Sequence, residues 1–192
     1  LWGYTLGERW RPADYLLDML LEATIKGGNL LLNVGPEPDG PLPGEFVQRA
    51  RQIGRWLEVH REVIDTAEPG DVCEFITYGR QVRAGRNLYL VVRFWDGRGE
   101  INLGGLASRV KRATLLTTGQ EVGFEQTADH VVIQGLPRER PTALFPVIKL
   151  EFDEPPQPTA WASRRLWSGD PRRMTSWAAA RGTSVWADGR PR

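Results

Sequence analysis

The spacing of the apolar residues changes near residue 69, and this change constrains the fold more than any other feature of the sequence. Before it, residues 13–26 and 45–60 carry apolar side chains three or four positions apart, which is typical of helices with one buried face. After it, apolar runs are short, rich in β-branched residues and divided by turn-forming residues about every ten positions. The sequence therefore predicts an α/β segment over residues 1–68 and an all-β domain over residues 69–153.

The stretch Asn29–Gly35 lies between the two predicted helices and contains three consecutive leucines. Because strand side chains alternate between the two faces of a sheet, such a run is typical of a strand that is buried on both faces. Pro12 suits the first turn of the preceding helix, and Gly27 suits its end. The order of helix, strand and helix predicts βα units, although so few of them cannot close a sheet.

The second segment predicts an antiparallel β-sandwich. Turn signals such as Asp96–Gly99 and Thr118–Gln120 divide its apolar runs, and Ile148–Phe152 alternates cleanly between apolar and polar side chains. Short strands at this spacing are typical of two antiparallel sheets packed face to face. The runs are 72–78, 88–95, 101–103, 113–116, 131–133 and 147–152.

The last segment, residues 154–192, differs in composition from the rest of the chain. From Pro155 onward it holds seven arginines, two aspartates and four of the eight tryptophans, with almost no aliphatic residues. Such a segment buries too little apolar surface to offset the entropy of ordering it. We predict that it is disordered, or aberrant in the way of a gene read out of frame. A tryptophan-rich tail that binds carbohydrate is the alternative.

The composition argues against several classes of function. A net charge of +1 lacks the basic excess of nucleic-acid-binding proteins. The only cysteine, Cys73, lies in an apolar run and is expected to be a small buried side chain. His60 and His130 are far apart in the sequence, so we expect no metal and no cofactor. No run reaches the roughly 18 apolar residues of a membrane-spanning helix, so no membrane span is expected.

Three stretches together resemble the α-L-fucosidases of glycoside hydrolase family 29. They are Trp2–Tyr4, the run Lys26–Pro36 followed by Asp39–Gly40, and Ile53–Val59. The first resembles the tryptophan-glycine-tyrosine element of that family, the second its most recognisable segment, and the third the helix that closes its catalytic domain. The order and spacing of these stretches extend the resemblance over residues 1–153.

The resemblance implies that the chain corresponds to the C-terminal part of such an enzyme. Its first segment would hold the last βα units of an incomplete (β/α)8 TIM-like barrel, and the antiparallel β-sandwich would follow. Residues 1–4 would end the seventh barrel strand, and residues 29–35 would form the eighth. Both helices would then belong to the barrel, which agrees with the periodicity of their own residues.

The family hydrolyses terminal α-L-fucosyl residues of glycoconjugates with retention of configuration, so the implied partner is a fucosylated glycan. Retention requires two carboxyl groups about 5–5.5 Å apart, one a nucleophile and one an acid/base. The resemblance places both before the tryptophan-glycine-tyrosine element. No catalytic residue is therefore expected in this chain, and the isolated chain is expected to be inactive. Glu8, Glu37 and Asp39 follow predicted strand ends in polar loops and turns, and are not expected to replace the missing groups.

Trp2 is the substrate-binding residue that the resemblance implies. An aromatic face at the end of a barrel strand can pack on the C–H patch of fucose and on its methyl group. A tryptophan that plugs the end of the barrel is the competing interpretation. Asn33 ends the predicted eighth strand, where a structural role is favoured over a supporting hydrogen bond near the sugar.

The alternative function is that of a non-catalytic carbohydrate-binding β-sandwich module. Such a module would use exposed aromatics such as Trp95 or Tyr89, although Trp95 is most simply a residue of the sandwich core. The first segment argues against this alternative, because a binding module has no use for the leucine run between two helices.

Overall fold

The computed structural model describes residues 3–73 and 76–163. Helices α1 (Ala13–Ile25) and α2 (Gly44–Asp65) come first. Eight strands follow in the described part of the chain, and the short helix α3 (Ala160–Ser163) comes last. The strands are β1 (Gly79–Ala84), β2 (Asn87–Val92), β3 (Glu100–Gly104), β4 (Arg112–Leu115), β5 (Gln120–Glu121), β6 (Gly123–Gln126), β7 (His130–Gln134) and β8 (Val147–Glu151).

The strands form two antiparallel sheets. The larger sheet has the order β1-β2-β8-β4-β5, and the smaller sheet has the order β3-β7-β6. In the larger sheet Leu88 of β2 pairs with Leu150 of β8, and in the smaller sheet Leu103 of β3 pairs with Val131 of β7. The antiparallel sheets predicted for the second segment are therefore present.

The larger sheet is buried on both faces. On one face Leu88 enters a core that it shares with Leu103 and Ile133 of the smaller sheet. On the other face Tyr89 and Val91 enter a second core. The two sheets thus pack face to face as a sandwich, and strand β2, buried from Leu88 to Val92, has no side that faces water.

Helices α1 and α2 cover the outer face of the larger sheet. Leu17 of α1 and Trp56 of α2 are buried there together with Val91 of β2. The indole N–H of Trp56 donates to the carbonyl oxygen of Phe145 at 2.7 Å. The helical first segment and the strands of the second segment therefore share this core.

Two groups of ionic contacts fix the helices to the sheet. Arg80 of β1 donates to both carboxylate oxygens of Asp18 on α1, at 2.7 and 2.9 Å. Burial by itself raises the pKa of Asp18, but the hydrogen bonds and charge of Arg80 outweigh it and hold the pKa below its usual value. On α2, Glu62 accepts hydrogen bonds from Tyr89 at 2.7 Å and from Lys149 at 3.0 Å. The two hydrogen bonds between Arg80 and Asp18 fix the orientation of α1 on the sheet as well as its distance.

A buried histidine completes the contact between α2 and the sheet. The Nδ1 atom of His60 lies 2.9 Å from the carbonyl oxygen of Trp56, and its Nε2 atom lies 2.9 Å from the hydroxyl of Thr117. A carbonyl only accepts, so Nδ1 is the donor, and a neutral ring then accepts at Nε2 from Thr117. Burial lowers the pKa of His60 below its usual value, which keeps the ring neutral.

The predicted strand over residues 29–35 is not present. These residues belong to no sheet in the described part of the chain, and Leu31 and Leu32 are 92% and 41% exposed. A segment becomes a strand only where a neighbouring strand shares its backbone hydrogen bonds, and no described strand lies in register with this one. The prediction of burial on both faces is therefore wrong for the described chain, which contains the predicted helices without a strand between them.

The sequence patterns also missed three strands and predicted one run, 72–78, that is not a strand where it is described. β1 resembled a turn because it contains Gly79 and two arginines, yet Arg80 pairs with Asp18 on α1. Its Gln81 accepts hydrogen bonds from two backbone N–H groups of the preceding loop. β5 and β6 are short and mostly exposed, so they lack the apolar pattern that marks a strand. The predicted run 72–78 is irregular where it is described.

The segment predicted to be a disordered tail begins with ordered structure. The N–H of Ala107 donates to the carbonyl oxygen of Gln157 at 3.0 Å, and Ala162 is fully buried. The prediction of disorder is therefore wrong for residues 154–163, which are held against the sandwich. Residues 164–192 lie outside the described part of the chain.

Replacing Trp56 tests the contact between α2 and the sheet. Trp56→Phe should lower the free energy of unfolding by about 1–3 kcal/mol, because the buried carbonyl of Phe145 loses its donor. Trp56→Ala should cost about 3–5 kcal/mol. Urea unfolding followed by circular dichroism and tryptophan fluorescence measures both. Val59→Ala, on the exposed side of the same helix, should stay within about 0.5 kcal/mol of the parent. A helical transition that separates from the loss of the sheet would contradict the shared core.

His60 should make the stability of the chain sensitive to mild acid. Its pKa is lower in the folded state than in the unfolded chain, so the unfolded chain binds more protons below about pH 6.5. The free energy of unfolding should therefore fall as the pH drops from about 7 to about 5. His60→Gln should remove much of this slope. Equal slopes in the parent and in His60→Gln would show that His60 is not held neutral.

Candidate functional site

The segment that resembles the fucosidases brings two of its motifs together. The backbone of Gly3 and Tyr4 lies directly against Gly35, so closely that a Cβ atom on Gly35 would collide with the amide nitrogen of Tyr4. Only glycine fits at such a contact. The end of the tryptophan-glycine-tyrosine element and the end of the leucine run are therefore neighbours.

The predicted substrate-binding residue, Trp2, lies outside the described residues, so its role stays a prediction. Asn33 is exposed, and its side chain has no hydrogen-bonding partner among the described residues. Asn33 therefore lies two residues before the Gly35 contact, and its side chain makes no hydrogen bond with the described residues that would support a structural role.

The loop after the leucine run is a tight turn. The N–H of Glu37 donates to the carbonyl oxygen of Pro41 at 2.8 Å, and the N–H of Gly40 donates to that of Glu37 at 2.9 Å. Gly40 has a φ of 106°, which favours glycine. Asp39 and Gly40 therefore occupy a turn, as the sequence predicted.

The three local carboxylates have no polar side-chain partners in the described structure. The side chains of Glu8, Glu37 and Asp39 make no ion pair or hydrogen bond with any other described residue. A catalytic acid or base needs partners that orient it and adjust its pKa. The described surroundings of these side chains supply none, and that they do not replace the nucleophile and the acid/base stays a prediction.

The two aromatics that the alternative function requires have different surroundings. Tyr89 is 1% exposed and its hydroxyl donates to Glu62, so the prediction that it is an exposed sugar-binding side chain is wrong. Trp95 is partly buried against the sandwich core, as predicted. Its indole N–H donates to the carbonyl oxygen of Pro137 at 3.0 Å, and the rest of its surface lines a cleft.

This cleft has a volume of about 360 Å³ and lies between the end of β2 and strand β3. One wall is the loop of residues 94–99, in which Gly97 and Gly99 have φ angles of 72° and 83°. A Cβ atom on Gly97 would also lie 2.9 Å from the carbonyl oxygen of Arg138. The shape of the loop therefore depends on glycine. The cleft is lined by Ile76, Thr77, Tyr78, Phe94, Trp95, Asp96, Gly97, Arg98, Gly99, Glu100, Ile101, Asn102, Gly104, His130 and Leu136.

Several polar side chains of the cleft have hydrogen-bonding capacity to spare. Those of Glu100 and Asn102, both on β3, have no hydrogen-bonding partner among the described residues. Asp96 accepts a hydrogen bond from the backbone N–H of Arg98 at 3.0 Å and pairs with its guanidinium at 3.3 Å. His130 pairs with its neighbour Asp129 through Nδ1 at 2.9 Å. The cleft therefore combines aromatic surface with both donors and acceptors.

Cysteine and metal chemistry are not indicated in the described residues. Cys73 is fully buried, and burial raises the pKa of its thiol to about 12, which suits the predicted inert side chain. Within residues 3–73 and 76–163, no three His, Cys, Asp or Glu side chains are placed to hold a metal ion. Across the same residues, no helix has the length and apolar content that crossing a membrane requires.

Sequence reasoning did not identify the cleft, because its residues come from separate stretches of the chain that only the fold brings together. One signal was present in Phe94–Gly97, where two aromatics end a strand and an Asp–Gly turn follows at once. Aromatic residues beside a tight turn are typical of exposed binding loops on a rigid scaffold.

Comparisons with known proteins agree with the resemblance. A family model described as alpha-L-fucosidase matches residues 1–62. An alpha-L-fucosidase of Branchiostoma floridae is 29% identical over 140 residues, which is 70% of this chain and 30% of that protein. The plasma alpha-L-fucosidase of Rattus norvegicus is 42% identical over 67 residues, which is 33% of this chain and 14% of that protein. The chain spans less than a third of the length of these relatives.

Solved structures of fucosidases extend the agreement beyond the matched segment. Alpha-L-fucosidase isoenzyme 1 from Paenibacillus thiaminolyticus aligns with a TM-score of 0.71 and 28% identity, over 80% of this chain and 38% of that one. A GH29 alpha-L-fucosidase from Bacteroides thetaiotaomicron aligns with a TM-score of 0.68 and 25% identity, over 78% of this chain and 35% of that one. The resemblance to the family 29 α-L-fucosidases is therefore confirmed over the part of the chain that these comparisons cover.

Proposed function

We propose that this chain is the C-terminal portion of a retaining α-L-fucosidase, which hydrolyses terminal α-L-fucosyl residues of glycoconjugates. The observation that carries the proposal lies in residues 1–62, which match the fucosidase family model. Within them the Gly3–Tyr4 backbone touches Gly35, so the two motifs adjoin. A segment that shared only its two helices with the fucosidases would not need this contact.

The proposed reaction is a double displacement. A carboxylate attacks the anomeric carbon while a carboxylic acid protonates the leaving oxygen, and water then hydrolyses the glycosyl-enzyme. The Bacteroides thetaiotaomicron relative has been trapped as a covalent intermediate in complex with 2-fluoro-fucosyl fluoride, which supports this mechanism. The resemblance assigns both carboxyl groups to the part of the enzyme that precedes the tryptophan-glycine-tyrosine element. The proposed role of this chain is therefore to complete and support the sugar pocket.

The exposed apolar side chains of the first segment support its place in a larger body. Leu6, Leu31, Leu32 and Leu42 are all exposed to solvent in the described structure. Burying apolar surface stabilises a protein by about 25 cal/mol per Å², so these exposed leucines favour association with another surface. We infer that further βα units of the barrel cover them and supply the strand neighbours that residues 29–35 lack.

Trp2 keeps its proposed role in the sugar pocket. It directly precedes Gly3, whose backbone touches Gly35 at the end of the leucine run. A tryptophan at this position would be held in place by the same backbone contact that joins the two motifs. Its ring would pack on the apolar C–H surface of fucose.

Turnover measurements test this proposal in two steps. The chain by itself should not hydrolyse 4-nitrophenyl α-L-fucopyranoside above background, because loss of both carboxyl groups removes most of the rate acceleration. A chimaera should be active when residues 1–163 replace the region that they align with in the Paenibacillus thiaminolyticus fucosidase. In that chimaera Trp2→Ala should lower kcat/KM about tenfold or more.

The matched control is Tyr15→Ala, which removes an exposed aromatic of α1 and should leave kcat/KM unchanged in the chimaera. A chimaera that folds, by circular dichroism and thermal melting, and yet shows no turnover would contradict the proposed function. Turnover by the isolated chain that is lost with Glu8→Gln or Asp39→Asn would show that its own carboxylates do the chemistry.

A further inference from the structure

We propose that the cleft between the 94–99 loop and strand β3 binds a neutral sugar ring, which makes the sandwich itself a glycan-binding element. This inference goes beyond the fucosidase function proposed above. It concerns binding by this chain and needs no turnover, so it can fail while the fucosidase proposal stands.

The cleft offers an aromatic surface on which a sugar ring can pack. Phe94 is 64% exposed, and it lines the cleft together with Trp95, which is partly buried against the core. Pyranose rings have C–H patches that pack on aromatic faces. An exposed phenylalanine next to an anchored tryptophan offers such a surface without any rearrangement of the core.

Strand β3 supplies polar groups to the same cleft. Glu100 and Asn102 are two residues apart on β3 and therefore lie on the same side of the strand. Neither side chain has a hydrogen-bonding partner among the described residues. A carboxylate accepts and an amide both donates and accepts, which matches the hydroxyl groups of a sugar. Small-molecule sites combine apolar surface with a few polar groups in this way.

The cleft is also pre-formed. The indole of Trp95 is held by the carbonyl oxygen of Pro137, and Gly97 packs against the carbonyl oxygen of Arg138. The backbone N–H of Arg98 donates to Asp96, which closes the turn. A ligand therefore binds without first ordering the loop, which lowers the entropic cost of binding.

Charge and size decide which ligand fits. Asp96 is paired with Arg98, whereas Glu100 has no described cationic partner, so the cleft repels an anionic sugar. Its volume of about 360 Å³ is near the lower limit of small-molecule sites, which suits one or two sugar rings. An extended peptide that adds to the edge of β3 is the competing occupant.

An NMR titration of the ¹⁵N-labelled chain tests the proposal. The probes are the methyl glycosides of glucose, galactose and fucose, with methyl glucuronide as the anionic counterpart. At least one neutral glycoside should shift amides of residues 94–104 in a saturable way, with a Kd in the millimolar range expected of a single ring. Methyl glucuronide should bind at least about tenfold more weakly, because it meets the carboxylate of Glu100.

Two variants and one control assign the binding to the cleft. Phe94→Ala should raise the Kd about tenfold, since the stacking surface is lost. Glu100→Gln should reduce the discrimination against methyl glucuronide, a change that a merely structural role would not produce. Tyr15→Ala removes another exposed aromatic, on α1, and should leave the Kd unchanged.

Several results would overturn the proposal. One is the absence of saturable shifts with every neutral glycoside up to about 100 mM. Another is a set of shifts that maps away from residues 94–104, or a Kd that Phe94→Ala and Asn102→Ala both leave unchanged while remaining folded. Saturable binding of an unrelated extended peptide along β3, with no response to sugars, would assign the cleft to a peptide instead.

Discussion

Burial of the larger sheet on both faces is the constraint on which the rest of this structure depends. Tyr89 and Val91 of β2 need the helices, and Leu88 and Leu90 on the same strand need the smaller sheet. At about 25 cal/mol per Å², exposing either face would forfeit several kcal/mol, which is comparable to the whole stability of a domain of this size. The helices that carry the fucosidase motifs are therefore held in place by the sandwich, and the sandwich is completed by those helices.

The elements that could be predicted from the sequence are those whose pattern is local. Helices α1 and α2 have apolar stripes, and β8 alternates between apolar and polar side chains. β1 could not be predicted in this way, because its Arg80 is satisfied by Asp18, which lies on a helix far away in the sequence. The strand expected at residues 29–35 has a local apolar pattern, but a strand also needs a neighbour that shares its backbone hydrogen bonds. No described strand provides one.

The candidate sites divide in the same way. The motifs around Trp2 and Gly35 could be found by resemblance. The structure adds the contact between Gly35 and the backbone of Gly3 and Tyr4. The sandwich cleft could not be found, because its residues, among them Tyr78, Phe94 and His130, come from separate stretches of the chain. The sandwich thus packs against the helices of the first segment through its larger sheet and carries the cleft at strand β3 of its smaller sheet.

Native-state hydrogen exchange can show whether the helices and the sandwich form one unit while the leucine run lacks a sheet partner. Amides of α2 and β2 should exchange at similar slow rates through one global opening, and those of residues 30–34 should exchange much faster. Protection of residues 30–34 equal to that of β2 would contradict the account, because it would require a strand neighbour. Fast exchange throughout α2 beside a protected β2 would contradict it as well, because the two would then open separately.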